Sequence, residues 1–241
     1  MDDVVLYALA ADGVATITLN RPLARNALDM AMAEALAQAA RRASAEGARL
    51  VLLRAEGPVF GAGADLKERQ GMGDDAVRAR RVKGFAAYAA IEALPMPPIA
   101  LVEGPAVGSG LEMAAACAII LATPAASFRT PEALWGTVGA TQRLPRVLGK
   151  RLAKDLMFTG RVLSAAEALA HGLVARLVPA EGLEAALAEM TGAILKAPPA
   201  ALRLAKRCID EGVELDPRGA LAAELLAIEE SLAAAEWKAR M

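Results

Sequence analysis

The chain has 241 residues, a formal net charge of −1, 56% apolar residues and only 3% aromatics. That length supports one large domain, or a domain with an appendage, around a sizeable core. The charge balance leaves no basic footprint for nucleic acid or an anionic membrane, and so few aromatics leave little on which bases could stack. Alanine supplies much of the apolar share, which points to closely packed helices and to self-association. Cys117 and Cys208 lie far apart in apolar helical contexts, without C-x-x-C spacing, and read as reduced core residues. The acidic start Met1-Asp2-Asp3-Val4 leads directly into a strand pattern without a secretory or transit signal. No apolar run reaches the roughly 20 residues of a membrane span. A soluble, cytoplasmic protein is expected.

Val4 to Leu9 and Val14 to Leu19 form two β-rich runs around Asp12-Gly13, a hairpin signal. A helix is predicted from about Asp29 through Ala40, and Leu50 to Leu53 reads as a buried strand. This first strand-helix-strand crossover implies parallel strands and a right-handed connection. The glycine-rich loop Gly57 to Asp65 follows, and Asp65 and Glu68 have capping-box spacing for a helix starting at Leu66. A longer helix spans Asp74 to Leu94, with Arg78, Arg80, Arg81 and Lys83 on its early turns. That cluster reads as a solvated face, with screening of a phosphorylated ligand as the alternative.

Pro98 to Val102 is the next buried strand and feeds Gly104-Pro105-Ala106-Val107-Gly108-Ser109-Gly110-Leu111-Glu112, where glycines run into a small-residue helix carrying one carboxylate. Unpaired N–H groups at that helix start favour a negative oxygen, and Glu112 lies about one turn after Ser109, beside them. Otherwise Glu112 would only complement the helix dipole. Ile119 to Ala122 returns as a strand, completing a second crossover. Glu132, in Thr130-Pro131-Glu132, is the second acid–base candidate. Lys150 to Phe158, Ser164 to His171 and Glu181 onward read as helical, with Val174 to Val178 as a last short strand. Pro198 to Ala239 reads as two helices divided by Gly212 to Pro217, the second with an apolar surface suited to a symmetric oligomer. No spaced set of His, Cys, Asp and Glu marks a metal site. The only histidine, His171, sits at a helix end far from Ser109, so a serine-nucleophile reading has little support.

Taken together, the ordered motifs resemble the enoyl-CoA hydratase/isomerase, or crotonase, family over nearly the whole chain. They are Leu19-Asn20-Arg21-Pro22 with Asn26-Ala27-Leu28, Phe60 to Glu68, Gly104 to Glu112, Pro131-Glu132, Thr141-Gln142-Arg143-Leu144 and Ala168 to Pro179. The resemblance implies an α/β fold, a crotonase-like spiral of βαβ repeats with two nearly perpendicular sheets and a C-terminal helical trimerisation region. We expect the core at 1–190 and the helical oligomerisation region at 191–241, assembled as a homotrimer or a dimer of trimers.

The implied substrate is an acyl-CoA thioester, with no cofactor beyond the coenzyme A that the substrate carries. In that reading the backbone N–H groups of Ala64 and Ser109 hold the thioester oxygen. Ala64, Asp65, Leu66 and Lys67 line the adenine and phosphate end of the coenzyme, and Ala62 and Gly108 complete the binding loops. Lys67 could equally belong to a solvated helix face, and Asp65 could act only as a helix cap. Donors held in advance of the reaction stabilise a developing enolate more than a ground-state carbonyl. Glu112 and Glu132 would act on one water, one accepting its proton while the other supplies a proton to the α-carbon. The expected reaction is hydration of a trans-2-enoyl-CoA thioester. Isomerisation, or hydrolase or lyase chemistry on an acyl-CoA, is the alternative, and a non-catalytic RNA-associated role fits the composition least. Gly136 to Thr141 looks shorter than the family's usual loop after the second glutamate, and Ala118 stands where many members carry aspartate.

Overall fold

The computed structural model describes residues 3–235 and Lys238. The hairpin forms as expected: β1 (Val5–Leu9) pairs antiparallel with β2 (Val14–Leu19), and Gly13 turns the chain at φ 90. Helix α1 (Met30–Ala45) is capped by the Asp29 side chain, which accepts the Met32 N–H, and leads into β3 (Leu50–Ala55), parallel to β2. A single-turn α2 (Leu66–Arg69) and the long α3 (Asp74–Glu92) precede β4 (Pro98–Val102), parallel to β3. The second glycine stretch contains a short strand, β5 (Pro105–Val107), before α4 (Ser109–Ala115) and β6 (Ile119–Ala122). Strand β7 (Ser127–Arg129) follows, then α5 (Arg143–Thr159), β8 (Leu163–Ser164), α6 (Ala165–Ala170) and β9 (Arg176–Leu177). Helices α7 (Leu183–Leu195), α8 (Pro199–Gly212) and α9 (Pro217–Ala234) close the described chain. The expected end of the last helical stretch at Ala239 lies outside the described residues.

The main sheet runs β1-β2-β3-β4-β6-β9, and β5, β7 and β8 form a second, three-stranded sheet. Beyond β1 every neighbour in the main sheet is parallel, so both faces are covered and the strands read as continuous apolar runs. Alternation divides them. Leu50, Leu52, Ile99, Leu101 and Leu121 meet Leu183, Leu187 and Met190 of α7 on one face. Val51, Leu53, Ala100 and Val102 face the larger core with Met32, Leu36 and Ile91 of α1 and α3. The second sheet has strands of two or three residues, below the length at which a period-2 pattern can show. Among the described residues, no helix is long and apolar enough to cross a membrane.

Two local expectations change. Asp65 does cap α2, accepting from the Lys67 and Glu68 N–H groups, but the capping box stays half-formed. The Glu68 carboxylate instead accepts the Met30 N–H at 2.9 Å and pairs with Arg80 at 2.6 Å, because those donors belong to neighbouring helices that compete for it. The basic cluster on α3 is not uniformly solvated either. Arg80 is buried between Glu68 and the Leu28 carbonyl, whereas Lys83 pairs with Glu34 and Arg78 with Asp75 nearer the surface. By contrast Ser164 and Glu167 complete a capping box on α6, and His171 ends that helix as its C-cap.

The turn before α1 is held by Asn26, fully buried at φ 52. Its side chain accepts the Arg21 N–H at 2.8 Å and donates to the Glu56 and Val59 carbonyls at 2.9 and 2.7 Å, joining the turn to the first glycine loop. Asn26→Ala removes all three bonds, orphans buried groups and leaves alanine in the left-handed region. It should cost about 3 kcal/mol of unfolding free energy, read from urea denaturation.

Candidate active site

The two glycine loops meet backbone to backbone. The Gly61 N–H donates to Pro105 O at 3.2 Å and the Val107 N–H to Gly61 O at 2.8 Å, so the first loop joins the edge of β5. A Cβ on Gly110 would lie 2.3 Å from the Gly61 carbonyl oxygen, and one on Gly61 would lie 2.8 Å from the Gly110 Cα. No side chain fits between them, which explains the glycines better than turn formation alone. On the other side of the first loop, Leu28 bridges Ala64: the Leu28 N–H donates to Gly63 O at 2.8 Å and the Asp65 N–H to Leu28 O at 2.9 Å. This bridge uses the groups flanking Ala64 and leaves its own N–H out. Ser109 opens α4, where an N–H has no intrahelical acceptor. Among the described residues, neither the Ala64 nor the Ser109 N–H has a hydrogen-bond partner.

Both residues line one cavity of about 170 Å³, together with Ala62, Leu66, Gly108, Glu112 and Glu132. Seven of the nine residues expected at the site are thus brought together. The other two lie beside it. Asp65 directs its carboxylate into the cap of α2 and toward Arg21 at 3.0 Å. Burial alone would raise the Asp65 pKa, but the Glu68 and Lys67 N–H groups and the Arg21 guanidinium outweigh it and hold the carboxyl below its usual range. Lys67 is an exposed residue of α2.

The carboxylates sit in unlike surroundings. Glu112 is buried and accepts the Ala140 N–H on Oε1 at 2.5 Å and Arg143 Nη1 on Oε2 at 3.1 Å. Glu132 begins a 3-10 turn, and its side chain rests against Gly108 and Gly139. A Cβ on Gly108, already at φ +49, would come 2.7 Å from Glu132 Oε1, so that glycine leaves room for the acid. Burial raises the Glu132 pKa; its own backbone N–H opposes this, the nearby Glu112 charge adds to the rise and Arg81 opposes it. Glu132 Oε2 is buried without a protein hydrogen-bond partner.

Reasoning from sequence assigned no role to Tyr88 or Arg143. Tyr88, buried on α3, lines the cavity together with Ser109. Burial pushes the phenol up, interaction with the Ser109 side chain partly offsets this, and the Glu112 charge reinforces the rise. Nothing in the local pattern of α3 separates Tyr88 from a core aromatic. Arg143 was visible in the Thr141 to Leu144 motif, but its partners are 31 and 51 positions away. Phe85, Val138 and Trp135 complete an apolar wall.

Two free N–H donors and two carboxylates around a partly apolar cavity make an acid–base site that can stabilise a negative oxygen on its substrate. The enoyl-CoA hydratase/isomerase family model matches residues 10–240. The bovine mitochondrial enoyl-CoA hydratase domain-containing protein 2 is 41% identical over 238 residues, covering 92% of this chain and 79% of that protein. The crystal structure of a Bacillus anthracis enoyl-CoA hydratase superposes with a TM-score of 0.90 at 37% identity, covering 94% of this chain and 90% of that one. A Thermobifida fusca structure in complex with acetoacetyl-CoA superposes with a TM-score of 0.87 at 28% identity, covering 96% and 95% of the two chains. The chain belongs to the enoyl-CoA hydratase/isomerase family, and its fold is the crotonase fold of these relatives.

The raised pKa of Glu132 sets a sign for stability. Between the ordinary carboxylate value and the raised one, the folded protein binds more protons than the unfolded chain, so wild-type stability falls as pH rises through that window. Glu132→Gln should therefore melt above wild type near neutrality, with the difference vanishing below about pH 4, where both states of the wild type are protonated. Melting temperatures across pH 4–8 check this.

Proposed function

We propose that this chain is an enoyl-CoA hydratase, adding water across the double bond of a trans-2-enoyl-CoA thioester. The observation that carries the reading is that Glu112 and Glu132 open onto the same cavity as the Ala64 and Ser109 donors. The thioester oxygen accepts from both N–H groups, which oppose the negative charge that grows as the β-carbon is attacked; one such donor is worth about 3 to 4 kcal/mol of barrier. Glu112 takes a proton from the attacking water. Each of its oxygens keeps a second lone pair beyond those used by Ala140 and Arg143. Glu132, whose raised pKa favours the protonated form, delivers a proton to the α-carbon as the enolate collapses. Each turnover leaves the proton on Glu112 and takes one from Glu132, so exchange with solvent through the opened cavity restores both acids after product leaves.

The coenzyme lies along the Ala62 to Lys67 loop, in keeping with the coenzyme A thioester held by the Thermobifida relative. The proposed reaction needs no cofactor beyond that coenzyme. Isomerisation stays the second reading, because the family includes it and a single carboxylate can shuttle a proton between the α- and γ-carbons.

Purified protein incubated with trans-2-enoyl-CoA thioesters should consume the conjugated absorbance and yield a product heavier by one water. Glu112→Gln and Glu132→Gln should each lower kcat at least 100-fold. A shifted double bond with no gain in mass would replace hydration by isomerisation, and full activity in both variants would end the two-carboxylate mechanism.

We also infer that the chain self-associates through its C-terminal helices as a trimer or a pair of trimers. Leu221, Leu225, Leu226, Ile228 and Leu232 of α9 are all between 46% and 66% exposed in the isolated chain, a large apolar surface for one helix. Light scattering should return three or six times the chain mass; a monomer at micromolar concentration would refute it.

A further inference from the structure

We propose that Arg143, held from behind by Glu92, is a positioning residue that fixes the Glu112 carboxylate for catalysis; this rests on the acid–base role given to Glu112 above. Arg143 is the first residue of α5, and its guanidinium is 14% exposed. Nη1 donates to Glu112 Oε2 at 3.1 Å, Nη2 donates to Glu92 Oε2 at 2.5 Å, and the guanidinium carbon lies 5.8 Å from the centre of the Tyr88 ring. One planar cation thus spans a carboxylate at the end of α3 and a buried one on α4, with an aromatic face closing one side.

A glutamate has three side-chain torsions, and proton transfer tolerates little drift in the distance to water or carbon. Here the donors reach Glu112 from a single segment. Ala140 supplies its N–H to one oxygen and Arg143 its guanidinium to the other. Ala140 holds φ 56, a conformation that a residue with a Cβ adopts at a cost, and in that conformation its N–H meets the carboxylate. A helix-to-helix tie would need only the Arg143–Glu92 pair. The second bond, to a carboxylate lining the cavity, is what a structural role leaves unexplained.

The lysine alternative separates charge from shape. Lysine supplies one compact charge and lacks the fork that bridges two carboxylates, so Arg143→Lys should recover only part of the activity. Glu92 is half exposed, so Glu92→Gln loosens the guanidinium from outside the cavity without disturbing the core.

The test measures kcat, KM and melting temperature for Arg143→Ala, Arg143→Lys, Glu92→Gln and Glu112→Gln. Each is assayed on whichever of a trans-2-enoyl or 3-enoyl thioester the wild type turns over. Arg146→Ala, on the same helix as Arg143, loses an exposed pair with Glu214 and its bonds to Gln142 but no contact with Glu112 or Glu92, and is the control. For Arg143→Ala we expect kcat to fall about 100-fold with KM within about threefold. Methylguanidinium at millimolar concentration should restore at least about tenfold, where sodium chloride of equal ionic strength does not. Arg143→Lys and Glu92→Gln should fall between wild type and Arg143→Ala, and Arg146→Ala should match wild type. If Arg143→Ala keeps kcat within about threefold of wild type, or loses it without guanidinium rescue, the proposal is overturned. Should that variant fail to fold, wild-type kcat in both Arg143→Lys and Glu92→Gln overturns it instead. Loss of activity in Glu112→Gln alone leaves the catalytic reading standing and removes only the positioning role. Full activity in Glu112→Gln, or no turnover of either thioester by the wild type, removes both.

Discussion

The contact between Gly61 and Gly110 is the constraint on which the site depends. The two glycines, 49 positions apart in the chain, approach until a single methyl group could not be inserted, since the Cβ of an alanine at Gly110 would sit 2.3 Å from a carbonyl oxygen. That approach sets the separation of Ala64 and Ser109, three residues beyond Gly61 and one before Gly110. It is reinforced from both sides, by the Gly61–Ala106 bridge to β5 and by the Leu28–Ala64 bridge to the turn that Asn26 holds. Donor spacing is therefore set by backbone packing, and no flexible side chain intervenes. Preorganisation of this kind is what makes an N–H group more useful to a developing anion than a water molecule, which would have to reorient.

Around that frame the protein treats two chemically identical side chains differently. Glu112 receives a backbone donor and a guanidinium, whereas Glu132 receives burial, a neighbouring negative charge and only its own N–H and the more distant Arg81 in compensation. An asymmetric environment lets one carboxyl group give up a proton while the other accepts one. The asymmetry comes from the chain between the two loops and α5. Gly108 and Gly139 leave space for Glu132, and the segment beginning at Ala140 then turns its donors to the opposite side.

Much of this was legible in the sequence where a local signal and a local structure coincide. The Asp12-Gly13 turn and the Asp65 cap rest on interactions a few residues long, the β2-α1-β3 crossover and the glycine loops show in local composition, and Glu112 follows from its spacing to Ser109. Glu132 stands out as a lone acid in Thr130-Pro131-Glu132, but no spacing there ties it to Glu112, and only the order of motifs joins the two. Arg80, Tyr88 and Arg143 escaped because their meaning lies in distant partners. A run of arginines on an early helical turn looks solvated until the Leu28 carbonyl and Glu68 come to meet Arg80. The second sheet was legible only through family resemblance, since Leu163-Ser164 cannot display a strand period in two residues.

The C-terminal helices reach further into the site than their position suggests. Lys206 of α8, 14% exposed, donates to the Glu92 carbonyl at 2.7 Å, where the cation also meets the negative end of the α3 dipole. Glu92 is the residue whose carboxylate holds Arg143, and Arg143 holds Glu112. Farther out, Arg146 on the next turn of α5 pairs with Glu214 in the connection between α8 and α9. Helix α8 thus also braces the end of α3. Lys206 lies two positions before Cys208, whose thiol donates to the Ala223 carbonyl of α9, so the packing of the two terminal helices and the support of Glu92 meet on α8.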